Sequence, residues 1–164
     1  MPLAVNIRKA AAADWPQIWA MLAPVLRDAE VYALPHDWSE DAARSHWFQP
    51  TNEVFVAEAG GKLAGTYYVH ANAQGGGSHV ANCAYLTAAA ARGQGIARAM
   101  AQHSFATAKA RGFRAMQFNF VVSTNASAVK LWRDLGFADV GRLPGAFRHP
   151  VQGFVDVFVM YKAL

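Results

Sequence analysis

Arg92-Gly93-Gln94-Gly95-Ile96-Ala97 is the stretch on which the fold of this chain turns. It stands between a strand-like run, from about His79 to Thr87, and a helical pattern from Ile96 to Arg111. Two glycines at such a junction let the backbone approach a ligand closely. The free N–H groups at the helix start, at the positive end of its dipole, favour a phosphate. The stretch reads as a diphosphate cradle, and its spelling excludes two others. A dinucleotide fingerprint needs Gly-x-Gly-x-x-Gly, but Arg98 stands where the third glycine belongs. A triphosphate loop needs Gly-x-x-x-x-Gly-Lys-Ser/Thr, which neither Gly60-Gly61-Lys62-Leu63 nor the Gly75 to Gly77 run supplies.

Working outward, Val5 to Lys9 alternates like a strand, and Asp14 to Ala23 repeats Trp15, Ile18, Trp19 and Leu22 at helical spacing until Pro24 bends or ends the helix. Ser39 is a fitting N-cap, with Glu40 and Asp41 in the first turn of a helix reaching about Phe48. Glu53 to Ala59 and Lys62 to His70 form a hairpin across Gly60-Gly61, and Asn72 to Ser78 is a turn before the third strand. The helix behind the cradle sets Ile96, Ala99, Met100, His103, Ala106 and Ala110 on one face, and Gly112 closes it. Ala115 to Val122 is a strand. A helix beginning at Asn125 or Ser123 turns Ala128, Leu131, Trp132 and Leu135 inward before Gly136. A last antiparallel pair, Ala138 to Gly141 and Phe154 to Lys162, is expected around a loop from Arg142 to Gly153. The order predicts one α/β domain over residues 1–164, with a mixed, mostly antiparallel sheet flanked by about four helices.

Composition sets the bounds. The 164 residues are 54% apolar and 16% charged, which describes an ordered chain with a substantial core. The net charge of +4 is scattered, without the clustered stripe that a nucleic-acid backbone requires. A single cysteine, Cys83, excludes an internal disulfide and a cysteine-rich metal site, and suits a reducing cytoplasm. No apolar run approaches membrane-spanning length, and Met1 to Ala13 lacks a signal-peptide core. No nucleic-acid or membrane partner is expected; a homodimer is allowed.

Two motifs then make the reading specific. Arg92-x-x-Gly95-x-Ala97 resembles the acyl-CoA loop of the GNAT superfamily of N-acetyltransferases. Asn125-Ala126-Ser127-Ala128-Val129-Lys130-Leu131-Trp132-Arg133-Asp134-Leu135-Gly136-Phe137 resembles its Asn-x-x-Ala-x-x-Leu-Tyr-x-x-x-Gly-Phe helix, and the element order is similar along the whole chain. The resemblance implies acetyl-CoA as acetyl donor. Its diphosphate would lie on Arg92, Gly93, Gln94, Gly95, Ile96 and Ala97, its pantetheine arm along Tyr85-Leu86-Thr87, and its acetyl group where that strand and Ala115 to Val121 splay apart. Asn125 and Trp132 would border the cofactor.

Acetyl transfer to an amine needs a neutral nucleophile, a donor for the developing oxyanion and a proton or hydrogen bond for the departing thiolate. A backbone donor at Leu86 or Thr87 is expected to serve the oxyanion. The family often carries a proton-donating Tyr where this chain has Trp132, and an indole is not a useful acid. Asn125 is therefore expected to hydrogen-bond the thiolate, with Tyr85 or water supplying the proton. The strand before the cradle holds no Asp or Glu, and no base is assigned.

Asn82 and Asn119 lie in the two strands expected to splay, where Asn is disfavoured. Either each ties down local backbone, or together they hold a small substrate's carboxylate. His79-Val80-Ala81-Asn82, Met116 to Asn125 and Gly145-Ala146-Phe147-Arg148-His149-Pro150 resemble the branch that N-acetylates proline analogues such as azetidine-2-carboxylate, which implies the second role. The expected acceptor is a small-molecule amine. Acetylation of a protein N-terminus or lysine, or a non-catalytic acyl-CoA-binding module, are the alternatives. Tyr32, Trp38 and Phe147 lie in loops able to cover the acceptor, and Arg148 is either a lid cation or a solvated charge. His103 reads as a core histidine, Cys83 as a small buried residue facing away from Asn82, and the other histidines lack metal-ligand spacing, so no metal is expected.

Overall fold

A computed structural model describes residues 4–164; the start of the Met1 to Ala13 segment lies outside the described residues. Seven strands form one sheet in the order β1-β2-β3-β4-β5-β7-β6. These are β1 (Val5–Lys9), β2 (Glu53–Ala59), β3 (Lys62–Ala71), β4 (Val80–Thr87), β5 (Ala115–Val122), β6 (Ala138–His149) and β7 (Gly153–Ala163). Helices α1 (Trp15–Asp28) and α2 (Glu40–Trp47) cover one face, and α3 (Ile96–Ala110) and α4 (Ala126–Asp134) cover the other. All pairings are antiparallel except β4 with β5.

Most of the expected elements are present, for the expected reasons. Ser39 Oγ accepts from the Ala42 N–H at 3.2 Å and caps α2. Gly60 and Gly61 turn the β2–β3 hairpin with φ of +59° and +76°, as a two-residue turn of matching twist requires.

Three expectations need correction. Helix α1 does not end at Pro24 but runs through it to Asp28. Its stripe of Trp15, Ile18, Leu22 and Leu26 is buried on both sides of the proline, while Ala20, whose carbonyl loses its partner, is exposed to water. Burying Leu26 alone is worth about 2 kcal/mol, which offsets much of the proline's cost. The inner face of α3 is Ile96, Met100, Ala101, Ser104 and Ala108, not the face containing Ala106 and Ala110, both exposed. Alanine at so many positions hides the phase of the helix. The segment from Arg142 to Gly153 is mostly strand rather than loop: β6 continues to His149 and pairs Phe147 with Val155. Pro144 is accommodated because the ladder bulges between Leu143 and Phe147, where no N–H is needed.

The feature that positions the site is the end of the β4–β5 ladder. Only Val80 with Ala115 and Ala81 with Met116 are paired, after which the two strands separate. Each keeps its other neighbour: β4 stays paired to β3 through Thr87, and β5 to β7 through Val122.

Candidate active site

The cradle follows directly from β4. A 3-10 turn, Ala89–Ala91, leads to an extended Arg92, then Gly93 at φ +75° and Gly95 at φ +81°, the latter serving as N-cap of α3. A Cβ on either glycine would enter open space, so both backbones face a void. No side chain caps the helix and no acidic residue stands in its first turn. The first intrahelical bond here is from the Ala99 N–H to the Gly95 carbonyl at 3.0 Å, which leaves the earlier N–H groups free. Arg92 and Gln94 are exposed at the rim, and Gln94 Nε2 donates to the Ala90 carbonyl at 3.1 Å. Free donors, a positive dipole end and a nearby cation fit a diphosphate.

Register decides which backbone groups face the opening beside the cradle. The bonds from the Asn72 N–H to Val80 O and from the Ala88 N–H to Ala64 O, both 2.8 Å, fix the alternation of the β3–β4 ladder. Even-numbered residues of β4 address β3, so the Leu86 N–H is committed to Thr66 and is not the oxyanion donor expected for it. Tyr85 and Thr87 instead turn their N–H and C=O groups toward the opening. One of these is engaged: the Tyr32 phenol donates to the Tyr85 carbonyl.

The Tyr85 side chain lies on the α3 side. Its hydroxyl is 2.6 Å from Ser104 Oγ, and burial raises its pKa well above the phenol range. That hydroxyl is built into the packing of α3 rather than aimed at the acceptor face. Trp132 packs its ring against Tyr85 and Phe118, at 5.0 and 4.7 Å between centroids, and forms the α4 wall of the opening. Asn125 begins α4 without capping it; its Oδ1 accepts from Ser127 Oγ at 3.3 Å, and its amide NH2 has no hydrogen-bond partner among the described residues. Arg98 on α3 and Asp134 on α4, 3.7 Å apart, tie together the two helices that carry the motifs.

Asn82 and Asn119 do share a face, the one covered by α1 and α2, on the two sides of the opening. Asn119 donates to Asn72 Oδ1 at 2.7 Å and accepts from Gln117 Nε2 at 2.8 Å, so its amide is held by two neighbouring side chains. Only the register, absent from the sequence, reveals Asn72 and Gln117. The segment after α1 is drawn onto this face, with the Arg27 guanidinium donating to the carbonyls of His36 and, at 2.8 Å, Trp38. Phe147 is buried against Val122 and Val157, with Phe120 at 6.2 Å. Arg148 is exposed on β6.

His46 of α2 and Tyr68 and His70 of β3 form a further polar group on the same side. His46 Nε2 is 3.4 Å from the Tyr68 hydroxyl, and His70 Nδ1 is 2.9 Å from the Ala71 carbonyl. Alternation of Tyr68 and His70 was the available signal, but nothing in the sequence tied it to the site. His103 bonds the Tyr67 hydroxyl at 2.6 Å, as a core histidine would. Cys83 is buried on the face opposite Asn82, and burial pushes its thiol up to about 12, which rules it out as a nucleophile at neutral pH. Among the described residues no group of three or more His, Cys, Asp or Glu is gathered to hold a metal, and no helix is long and apolar enough to cross a membrane.

Residues 15–137 match the model of the Acetyltransferase (GNAT) family. The structure of a GCN5-related N-acetyltransferase from Kribbella flavida is 41% identical and superposes with a TM-score of 0.94, covering 98% of both chains. A phosphinothricin acetyltransferase from Sinorhizobium meliloti in complex with acetyl-CoA shares the fold at 23% identity, with a TM-score of 0.85 over 100% of this chain and 89% of that one. The N-acetyltransferase aca1 of Schizosaccharomyces pombe is 33% identical over 103 residues, 59% of this chain and 47% of its own, so the chain spans about half the length of that relative. With its glycine turn at the start of α3, its splayed β4–β5 pair and a family match over most of its length, this chain belongs to the GNAT family of acetyltransferases.

Proposed function

We propose that the protein transfers the acetyl group of acetyl-CoA directly to the amine of a small molecule, an amino acid or a proline analogue. The observation that carries this reading is the opening of the β4–β5 ladder beyond Ala81 and Met116, with the cradle at the end of the same strand. A diphosphate on Gly93 to Ala97 would send the pantetheine arm along the free edge of β4, where the Thr87 and Tyr85 N–H groups are the available donors for the thioester oxygen. The thiolate would leave beside Asn125 and Trp132.

The acceptor face favours a small molecule over a protein. Tyr32 and the segment tied down by Arg27 narrow it, whereas a polypeptide would need an open groove. Asn82, whose amide has no side-chain partner among the described residues, is suited to a carboxylate oxygen. Asn119 is presented from the other side. Neutral amides bind a carboxylate without burying a second charge. The test is thiol release from acetyl-CoA with a panel of amines. The expected result is release dependent on free amino acids or cyclic imino acids. Cofactor binding without amine-dependent release would refute the enzyme reading in favour of a binding module, and release with peptides alone would refute the small-molecule acceptor.

A further inference from the structure

His70 is paired in register with Asn82, and alternation along β3 and β4 puts both side chains on the acceptor face. Directly opposed residues in an antiparallel ladder have Cβ atoms about 5 Å apart, so a molecule held by Asn82 lies within one water of the His70 ring. The tautomer follows from the ring's one partner: the Ala71 carbonyl can only accept, so Nδ1 carries the proton and Nε2 the lone pair. No side chain among the described residues bonds that Nε2. The ring is half-buried, and burial lowers its pKa below 6.5 despite the Ala71 carbonyl, which keeps it unprotonated at neutral pH.

We propose that His70 Nε2 is the proton acceptor for the acceptor amine, directly or through one water; this rests on the acetyl-transfer reading and names the base that reading lacks. The ammonium form gives one proton to Nε2. The neutral nitrogen then forms the N–C bond to the thioester carbonyl as the C–S bond breaks. The second nitrogen proton goes to the departing sulfur, and the imidazolium returns its proton to solvent.

The surroundings suit the role. His46, backed by the Trp38 ring at 5.0 Å, is itself held below 6.5, first by burial and then by repulsion from a charged His70, so the two rings do not both protonate readily. Tyr68 is a neutral phenol whose pKa burial pushes up to about 12. Glu53, Lys9 and Arg111 line the same 450 Å³ cavity as His70. The Glu53 carboxylate is already claimed by Arg111 and by Lys9 at 3.5 Å, which leaves the imidazole as the free base of this cluster.

The test is the pH dependence of kcat at saturating amine for the full chain and for His70→Gln. The unaltered protein should show an acid limb with a midpoint below 6.5. The variant should lose about 100-fold or more in kcat at pH 7, with the loss shrinking as pH rises toward the amine's own pKa, and should keep its acetyl-CoA affinity and melting temperature. His46→Gln should leave the midpoint nearly unchanged, because His46 is the ring that a charged His70 holds neutral. An unchanged limb in His70→Gln, or an equal loss at every pH, overturns the assignment. If the unaltered protein releases no thiol with any amine, the acetyl-transfer reading itself falls, and this role with it.

Discussion

Replacing Gly95 by Ala separates what the cradle does for the fold from what it does for a ligand. Gly95 sits at φ +81°, where an L side chain is strained, and nothing lies within 4 Å of the Cβ it would acquire. The fold therefore loses only the backbone term, about 1–2 kcal/mol, or a melting temperature lower by about 2–8 °C for a domain of this size. Gly112, just beyond the other end of α3, has φ +87° and the same open space. Gly112→Ala should cost about as much stability and nothing in binding. At Gly95 the added methyl would occupy the open space that the proposed cradle offers a phosphate. Loss of one hydrogen bond to a charged oxygen is worth about 1.5–3 kcal/mol, so the dissociation constant for acetyl-CoA should rise about 10- to 150-fold. Calorimetric titration with acetyl-CoA and ligand-free melting of both variants supply the comparison. Equal affinities for the two variants would refute the cradle, because strain alone would then account for everything.

Asn82→Ala should raise the KM for the acceptor about tenfold or more while leaving acetyl-CoA affinity unchanged; a matched loss in both would make its role structural. Gly65→Ala should destabilise by about 1–3 kcal/mol in urea unfolding. Its Cβ would lie 2.9 Å from the Leu86 carbonyl oxygen and 2.8 Å from Met100 Cε, and the backbone oxygen cannot yield. An unchanged urea midpoint would contradict that packing. Asp14 is held below the ordinary carboxylate range, first by its hydrogen bonds from Arg8, against an opposing effect of burial, with help from the Ala11 N–H. A depressed folded pKa means stabilisation that is present above the unfolded value, about 3.9, and lost as pH falls through the folded one. Asp14→Asn should flatten the acid limb of stability between neutral pH and pH 2, and an unaltered slope would contradict the pairing.

The fold was legible because its punctuation is chemical. Gly60-Gly61, Ser39, Gly112 and the cradle glycines each answer a local backbone demand visible without the partner strand. What failed was decided at a distance. Pro24 points to a bend or an end because a proline's cost is local, whereas the burial of Leu26 that carries α1 onward is tertiary. The face of α3 was misread because alanines carry no phase. Strand β6 was missed beyond Gly141 because Pro144 and Gly145 are turn residues that a bulge absorbs. In the site, Asn82 and Asn119 stood out as amides in apolar strands. The commitment of Leu86 to β3, the holding of Asn119 by Asn72 and Gln117, and the pairing of His70 with Asn82 are facts of register, which no single strand encodes.

Register also explains how an open ladder is tolerated. Separating two central strands leaves backbone donors and acceptors without partners, and each buried orphan costs about 1–3 kcal/mol. The chain limits that cost by keeping β4 bonded to β3 and β5 to β7, so only the facing edges are unpaired. On the β4 edge, the Tyr32 phenol satisfies the Tyr85 carbonyl. Among the described residues the remaining groups, the Thr87 N–H included, have no ladder partner, beside a helix start that also lacks a cap. Unpaired donors in a rigid frame bind a ligand without first breaking protein bonds, so in the proposed reading the same groups that weaken the sheet would hold the thioester oxygen. The cradle and the splay are thus two ends of one device, an edge of donors running from Tyr85 through Thr87 to the first turn of α3. In the proposed reading the acceptor would be chosen on a different surface, by Asn82, His70 and the segment around Tyr32, where nothing requires the local glycine spelling that made the cofactor end readable.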